Sequence, residues 1–330
     1  MKFHLGLLCC GLLAASVQAD AGGSACPDVA HPPAPVCVAS PSGLAYADTG
    51  EEAEHAARAQ AGAAGRFAAY FGEAPAGVLV LSSSLDPLAA QEFAKAHGLA
   101  YAQVWLPGRE LQAMAARALR KAGADRARVR RAAAAMADQH GNTLRHELGH
   151  AMYAATFWPD AAEAPEPRYG SPAPDWLDEA AAILMEPVES QGQRAGEFLN
   201  VMRLAPGSIP PLAEFLDMEH PIRTPALARE LARGEKSDSG VQMMISADTT
   251  VPGAAVFYGQ SLLAGMFLME TSGNPRILAP ISSAIAAGTP FPDWLAENGP
   301  SHGLPAELAA LEAAWEKWSR ALPDRAKATQ

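Results

Sequence analysis

The sequence has no P-loop, no dinucleotide-binding fingerprint and no internal repeat, so nothing in it indicates a nucleotide-binding enzyme or a repeat protein. Positive charge is also scarce, because the chain has 25 Lys and Arg residues but 36 Asp and Glu residues. The net charge is therefore −11. An acidic chain without a basic patch is a poor candidate for binding nucleic acid. The one Arg-rich segment, residues 117–131, is also rich in alanine, and we interpret it as the solvated face of a helix without a partner.

The apolar run near the N-terminus, residues 5–15, is short for a bilayer-spanning helix. It follows Lys2 and precedes small residues up to Ala19, which is the layout of a secretory signal peptide that is cleaved after residue 19. An uncleaved signal that stays as an anchor is the alternative. The sequence therefore predicts a secreted or periplasmic protein with no stable membrane insertion after signal cleavage.

Cysteine is scarce, with four residues in the whole chain. Cys9 and Cys10 lie within the predicted signal, and the residues before them make a poor lipoprotein signal. Cys26 and Cys37 remain after cleavage, and two nearby cysteines in an exported chain predict one disulfide that closes a Pro-rich loop. Two free thiols, or a zinc knuckle that includes His31, are the alternatives.

The chain alternates strand and helix patterns at first and then becomes mostly helical. Apolar strand patterns occur at residues 43–48, 76–85 and 99–108, and helical patterns lie between them. From residue 109 onward the pattern is mostly helical. The sequence therefore predicts an α+β fold, in which a small mixed N-terminal sheet packs on a mostly helical domain.

The stretch TLRHELGHAM, residues 143–152, contains His146, Glu147 and His150. The two histidines are four residues apart, so on a helix their side chains project from the same face and can bind one metal ion. Glu147 lies about 100° around the helix from His146, where it can address a water molecule at the metal without being a ligand. Three fixed positions also occur by chance, so the hypothesis of a metal site needs a third ligand.

The motif helix is predicted to begin at Asn142 or Thr143, because Gly141 interrupts the preceding helical pattern and Asn is a good N-cap residue. Leu144 lies on the side opposite the histidines, and Tyr153 continues the histidine side. Because both sides are apolar, we expect this helix to be central and buried. Two imidazoles and a carboxylate on a buried helix need polar partners, and a metal ion would satisfy them together.

The third ligand of a catalytic zinc site must come from elsewhere in the chain, because such sites have three protein ligands and one open position. The metzincin continuation is excluded, since Tyr153 and Thr156 occupy the positions of its Gly and His. Asp175, Asp178 and Glu179 are candidates at the start of a downstream helix, which Asp175 is expected to cap. Asp178 and Glu179 are about 100° apart on that helix, so only one of them can point at the metal.

The motif HELGH followed by WLDEAAAILME resembles the pattern HExxH … WLxEGxAxxxE of gluzincins, the aminopeptidase-N-like and related peptidase-MA-like zinc peptidases. The resemblance implies that His146, His150 and Glu179 bind Zn²⁺. It also implies that Glu186 lies beside a ligand, although an exposed position on the helix is the alternative. The chain departs from the pattern at Ala180, where the family usually has glycine.

The same resemblance implies a zinc-dependent peptidase with a peptide or protein substrate, in which Glu147 is the general base. Tyr258, in the late segment YGQSLL, would donate a hydrogen bond to the oxyanion, and a packed tyrosine with a locally bonded hydroxyl is the alternative. No GxMEN segment is present, so an endopeptidase is favoured over an exopeptidase. The alternative function is an inactive gluzincin-fold binding protein of the cell envelope, but the intact Glu147 favours activity.

The expected organisation combines the export signal, the cysteine loop and a zincin-type catalytic domain. It consists of a signal peptide at 1–19, a Pro/Ala-rich leader with the disulfide at 20–42, a gluzincin-like metallopeptidase domain at 43–290, and a C-terminal helical extension at 291–330.

Overall fold

The computed structural model describes residues 25–160, 170–221, 235–236, 242–243 and 253–328. The predicted signal peptide lies outside these residues. The α+β class is confirmed, since a small mixed sheet near the N-terminus is followed by a mostly helical region. None of the helices in the described part of the chain is long and apolar enough to span a membrane.

The sheet contains four strands in the order of the chain: β1 (Val36–Ser40), β2 (Gly43–Ala47), β3 (Gly77–Leu81) and β4 (Ala102–Trp105). β1 pairs with β2 in antiparallel fashion, whereas β2, β3 and β4 are parallel. The central strands β2 and β3 are buried along their whole length. This burial is expected for parallel strands with helices on both faces, and it explains the continuous apolar run of β3.

The strand β1 lies in the segment that the sequence predicted as a leader. Cys37 belongs to β1, and the predicted disulfide between Cys26 and Cys37 is confirmed, with a sulfur–sulfur distance of 2.01 Å. Residues 36–40 are therefore part of the sheet, and the disulfide attaches the residues before them to its edge.

Two helices connect the parallel strands and cover opposite faces of the sheet. Helix α1 (Gly50–Tyr70) packs with Ala45 and Leu79, whereas α2 (Pro87–Ala96) packs with Tyr46 and Val80. This division follows from the alternation of side chains along a strand. The predicted cap of α2 is confirmed, because the carboxylate of Asp86 accepts a hydrogen bond from the backbone N–H of Leu88.

The remaining helices form the larger part of the molecule, and two short strands, Glu235–Lys236 and Gln242–Met243, form a separate antiparallel pair. These helices are α3 (Gly108–Lys121), α4 (Arg126–Phe157), α5 (Asp175–Met185), α6 (Val188–Leu204), α7 (Leu212–Leu216), α8 (Ala254–Ser272), α9 (Leu278–Ala286), α10 (Phe291–Asn298) and α11 (Leu308–Ala328). Helix α4 packs against α1, α3 and α5, and α5 and α6 pack against α8. Three buried side chains of α11, Leu311, Trp315 and Trp318, belong to the same core as α4 and α5.

Helix α4 is one continuous helix of 32 residues, so the predicted start at Asn142 or Thr143 is wrong. It begins after Asp125, whose side chain accepts a hydrogen bond from the backbone N–H of Arg128. Gly141 does not end a helix, because a glycine within a helix costs only about 1 kcal/mol relative to alanine. A Cβ atom at residue 141 would lie 3.2 Å from Cε1 of His55, so this glycine allows α1 to approach α4 closely.

Gly149, inside the HELGH motif, lies where α4 crosses α5. A Cβ atom at this position would lie 2.6 Å from Cα of Ala182, which is a backbone atom of α5. The two helices therefore approach each other more closely than any larger residue would permit. This contact brings the motif residues of α4 next to the acidic residues at the start of α5.

Substitution of Gly149 by alanine is expected to lower the free energy of unfolding by about 1–3 kcal/mol, because the new methyl group can fit only if one helix shifts. This loss should occur although alanine favours a helix by about 1 kcal/mol relative to glycine. Urea denaturation of the purified variant measures the change.

The matched control is Gly65→Ala in α1, where an added Cβ would meet no atom within 4 Å. This control is expected to keep or slightly increase the stability, because only the helix propensity and the entropy of the unfolded chain change. Equal effects of Gly149→Ala and Gly65→Ala would contradict the close packing of α4 on α5.

Candidate metal centre

Three side chains converge at the crossing of α4 and α5, namely His146, His150 and Glu179. The Nε2 atoms of the two histidines are 3.2 Å apart. The carboxylate of Glu179 lies 3.6 Å from each of them, through Oε2 to His146 and through Oε1 to His150. Ligands bound at 2.0–2.1 Å in a tetrahedral zinc site are roughly 3.3–3.4 Å apart. The three groups therefore have the spacing needed to bind one metal ion together, and they are the only such group among the described residues.

Each histidine also contacts a second carboxylate through its Nδ1 atom. Nδ1 of His146 lies 2.8 Å from Oε1 of Glu186, and Nδ1 of His150 lies 2.9 Å from Oδ2 of Asp178. An ionised carboxylate can only accept a hydrogen bond, so each Nδ1 is the donor. The other ring nitrogen of each histidine, Nε2, faces Glu179. The predicted position of Glu186 beside His146 is thus confirmed, whereas its alternative as an exposed residue is wrong, since it is only 2% exposed.

The two backing carboxylates are themselves held in place. The hydroxyl of Ser171 donates to Oδ1 of Asp178 at 2.9 Å, and Nε of Arg194 donates to Oε2 of Glu186 at 2.9 Å. Burial raises the pKa of Glu186, but the contacts with His146 and Arg194 lower it more, so its pKa is below the usual value. Glu186 is therefore ionised at neutral pH and suited to orient His146.

The electrostatics of the centre favour a positive charge between the three groups. Burial lowers the pKa of His150, but Asp178 and Glu179 raise it more, so its pKa lies well above the usual value. Burial raises the pKa of Glu179, but the neighbouring histidines lower it more, so its pKa lies well below the usual value. Two facing Nε2 atoms beside a buried carboxylate need either protons or a metal ion between them, and the spacing of all three fits an ion.

The division of roles between Asp178 and Glu179 follows the geometry of α5. Glu179 turns towards both Nε2 atoms and is 1% exposed, whereas Asp178 lies behind His150. The neighbouring residues Trp176 and Leu177 are fully buried. Asp175 does not cap α5 as predicted, because Pro174 is the N-cap and Asp175 is the first residue of the helix. Its carboxylate instead accepts a hydrogen bond of 2.6 Å from the backbone N–H of His220.

Of the two predicted catalytic residues, Tyr258 has its ring beside the candidate centre, and Glu147 lies on the same helix as the two histidines. Glu147 follows His146 on α4 and is half-buried, and no hydrogen bond or ion pair joins its carboxylate to another described residue. The ring of Tyr258 is half-buried, and its centroid lies 6.4 Å from that of His146. The guanidinium of Arg194 lies over the same ring, 4.8 Å from its centroid. Tyr258 therefore faces the metal centre from helix α8.

No family model, no curated protein and no solved structure matches this chain. The assignment of a metal centre therefore depends on the geometry of the described residues.

The sequence places the other histidines in loops or on polar faces, where surface positions are expected, but His140 and His220 are buried. His140 is 5% exposed, and its Nε2 donates to the carbonyl oxygen of Leu106 at 2.9 Å. His220 is 2% exposed, and its Nε2 lies 3.2 Å from Oε1 of Glu179. No helical or strand periodicity surrounds residue 220, so the residue type was the only signal in the sequence that could have connected it with the metal centre.

Proposed function

We propose that this chain is a zinc-dependent peptidase of the gluzincin type, and an endopeptidase rather than an exopeptidase. The observation that carries the proposal is the convergence of His146, His150 and Glu179, with Glu147 on the same helix as the two histidines. Two imidazoles and one carboxylate leave one coordination position open, which is the composition of catalytic rather than structural zinc sites.

The residues around the centre have distinct roles in the proposed reaction. When bound, zinc supplies Lewis-acid chemistry that activates a water molecule and polarises a carbonyl group. Glu147 accepts the proton of the water and passes it to the leaving amine. Glu186 and Asp178 fix the orientation of the two imidazole rings. Tyr258 donates a hydrogen bond to the oxyanion that develops on the substrate.

The disulfide supports a location outside the reducing cytosol, in a secreted or periplasmic protein. Peptides or proteins of that compartment are the proposed substrates.

The proposal is tested by metal analysis and peptide digestion of the exported protein. We expect about one zinc ion per chain and cleavage within peptides of a mixed library. A chelator should abolish cleavage, and added zinc should restore it. Bound zinc without cleavage of any peptide would instead support the inactive binding protein, and a chain that binds no metal would overturn the proposal.

Substitution of Tyr258 by phenylalanine is expected to lower kcat by roughly 10²-fold with little change in KM, zinc content or melting temperature. The reason is that a hydrogen bond to the oxyanion strengthens only in the transition state. Steady-state kinetics on one cleaved peptide measures the effect. Unchanged kcat with a lowered melting temperature would show that the hydroxyl only stabilises the packing of Tyr258.

A further inference from the structure

His220 contacts the candidate metal centre from a part of the chain that is distant in sequence from both α4 and α5. Its Nε2 lies 3.2 Å from Oε1 of Glu179, which is the distance of an ion pair, although the two atoms do not have the geometry of a hydrogen bond. The side chains of both residues are almost completely buried, with exposed fractions of 2% and 1%. In such a buried place the polar edge of an imidazole attracts a carboxylate strongly, because little water screens the two groups.

His220 is placed differently from the three groups that could hold the ion. Those three groups have ligand atoms within 4.8 Å of one another, and His220 is not one of them. His220 instead approaches Glu179 through Oε1, while Oε2 is the atom nearest to His146. The arrangement resembles that of Asp178 and Glu186, each of which contacts a candidate ligand from behind.

The fold holds His220 on two sides. Its backbone N–H donates to Oδ2 of Asp175 at 2.6 Å, so its main chain is attached to the first residue of α5. Its ring packs against two aromatic rings of α8, with centroid distances of 5.0 Å to Phe257 and 5.4 Å to Tyr258. Because these contacts constrain both the backbone and the ring, Nε2 is kept beside the carboxylate of Glu179.

We propose that His220 is a positioning residue for the third metal ligand, an inference that rests on the metal centre of the proposed function. Nε2 of His220 lies against Oε1 of Glu179 and attracts it, so the carboxylate would offer its other oxygen to an ion. With His220 beside Glu179, Glu186 on His146 and Asp178 on His150, each of the three residues that could hold the ion has a supporting group. Binding of Glu179 through one oxygen would keep a coordination position available.

The test compares the zinc affinity of variants by competition with a chromophoric chelator, which requires no peptide substrate. His220→Leu keeps an apolar volume but removes the N–H, and we expect it to weaken zinc binding by about 10–100-fold. His220→Gln places an amide N–H near the position of Nε2 and is expected to bind zinc with nearly the affinity of the unmodified chain. The absorption spectrum of bound Co²⁺ should change in His220→Leu and be retained in His220→Gln.

If His220 only stabilises the fold, its variants should give different results. In that case His220→Leu would alter the melting temperature of the metal-free protein and leave the zinc affinity unchanged, which would overturn the inference. Equal weakening in His220→Leu and His220→Gln would overturn it as well. If His220→Leu does not fold, His220→Asn replaces it, because the shorter side chain keeps a polar amide that cannot reach Glu179. Zinc affinity of His220→Asn as high as that of His220→Gln would then overturn the inference.

A failure of this inference about His220 can be distinguished from a failure of the proposed function. A chain that binds zinc tightly but cleaves no peptide would reject the peptidase and leave the role of His220 measurable by affinity. If the unmodified chain bound no zinc, the metal centre and the role of His220 would both be rejected.

Discussion

Replacement of Glu147 by glutamine is expected to abolish peptide hydrolysis while about one zinc ion per chain remains bound. Glutamine has nearly the shape of glutamate, but its amide cannot accept the proton of the attacking water. General-base catalysis contributes a factor of roughly 10²–10⁴ to the rate, so kcat should fall by a factor of this size or more. The zinc content should not change, because Glu147 is not one of the three residues that could hold the ion. Hydrolysis assays and metal analysis of the same preparation measure both effects.

The control for this substitution is Glu92→Gln, which makes the same chemical change on the exposed surface of α2. This helix covers the face of the sheet opposite to α1 and α4. The control variant is therefore expected to keep both hydrolysis and zinc. Loss of zinc in Glu147→Gln would show that Glu147 is a ligand, and normal turnover would show that another group is the base.

Replacement of Glu179 by alanine is expected to remove both the metal and the activity, since Glu179 is one of the three residues proposed to hold the ion. Replacement of its neighbour Asp178 by alanine is expected to weaken zinc binding by about 10–100-fold, because Asp178 only orients His150. Zinc titration of the two metal-free variants should therefore distinguish the roles of these two adjacent acidic residues.

The control in this case is Glu189→Ala, at an exposed position in the first turn of α6. It should leave the zinc affinity unchanged. If Asp178→Ala lost the metal and Glu179→Ala retained it, the assignment of ligands would be wrong and the resemblance to gluzincins would fail with it.

The strands of the sheet could be predicted where the sequence has a distinct apolar pattern. Strand β1 was missed because its pattern is weak. β3 is a continuous apolar run between turn residues, and the cap of α2 is a local interaction of Asp86 with the next turn. The apolar run of β1 is only four residues long, follows a Pro-rich loop and contains a cysteine of the predicted disulfide, so it was interpreted as part of a leader. Their pairing with β2 depends on a turn and on the neighbouring strand, which a local pattern does not describe.

The candidate metal centre was predictable to the extent that its residues share short spacings. The spacing of His146 and His150 places both on one face of a helix, and the resemblance to gluzincins selects Glu179 over Asp178. The contact of His220 with Glu179 could not be predicted, because the two residues are distant in sequence and no local pattern connects them. The continuity of α4 through Gly141 was also missed, since one glycine is too small a penalty to end a long helix that packs against α1, α3 and α5.

The close crossing of α4 and α5 at Gly149 has a consequence for the entropy of binding an ion. His146 and His150 lie in interior turns of one helix, so backbone hydrogen bonds fix the separation of their Cα atoms. Glu179 lies on the other helix, and its Cα atom can move away from theirs only when the two helices move apart. Because backbone packs on backbone at Gly149 and Ala182, that movement disturbs a densely packed region. The fold itself therefore fixes the three backbone positions, so binding of an ion should order side chains alone and should lose little conformational entropy.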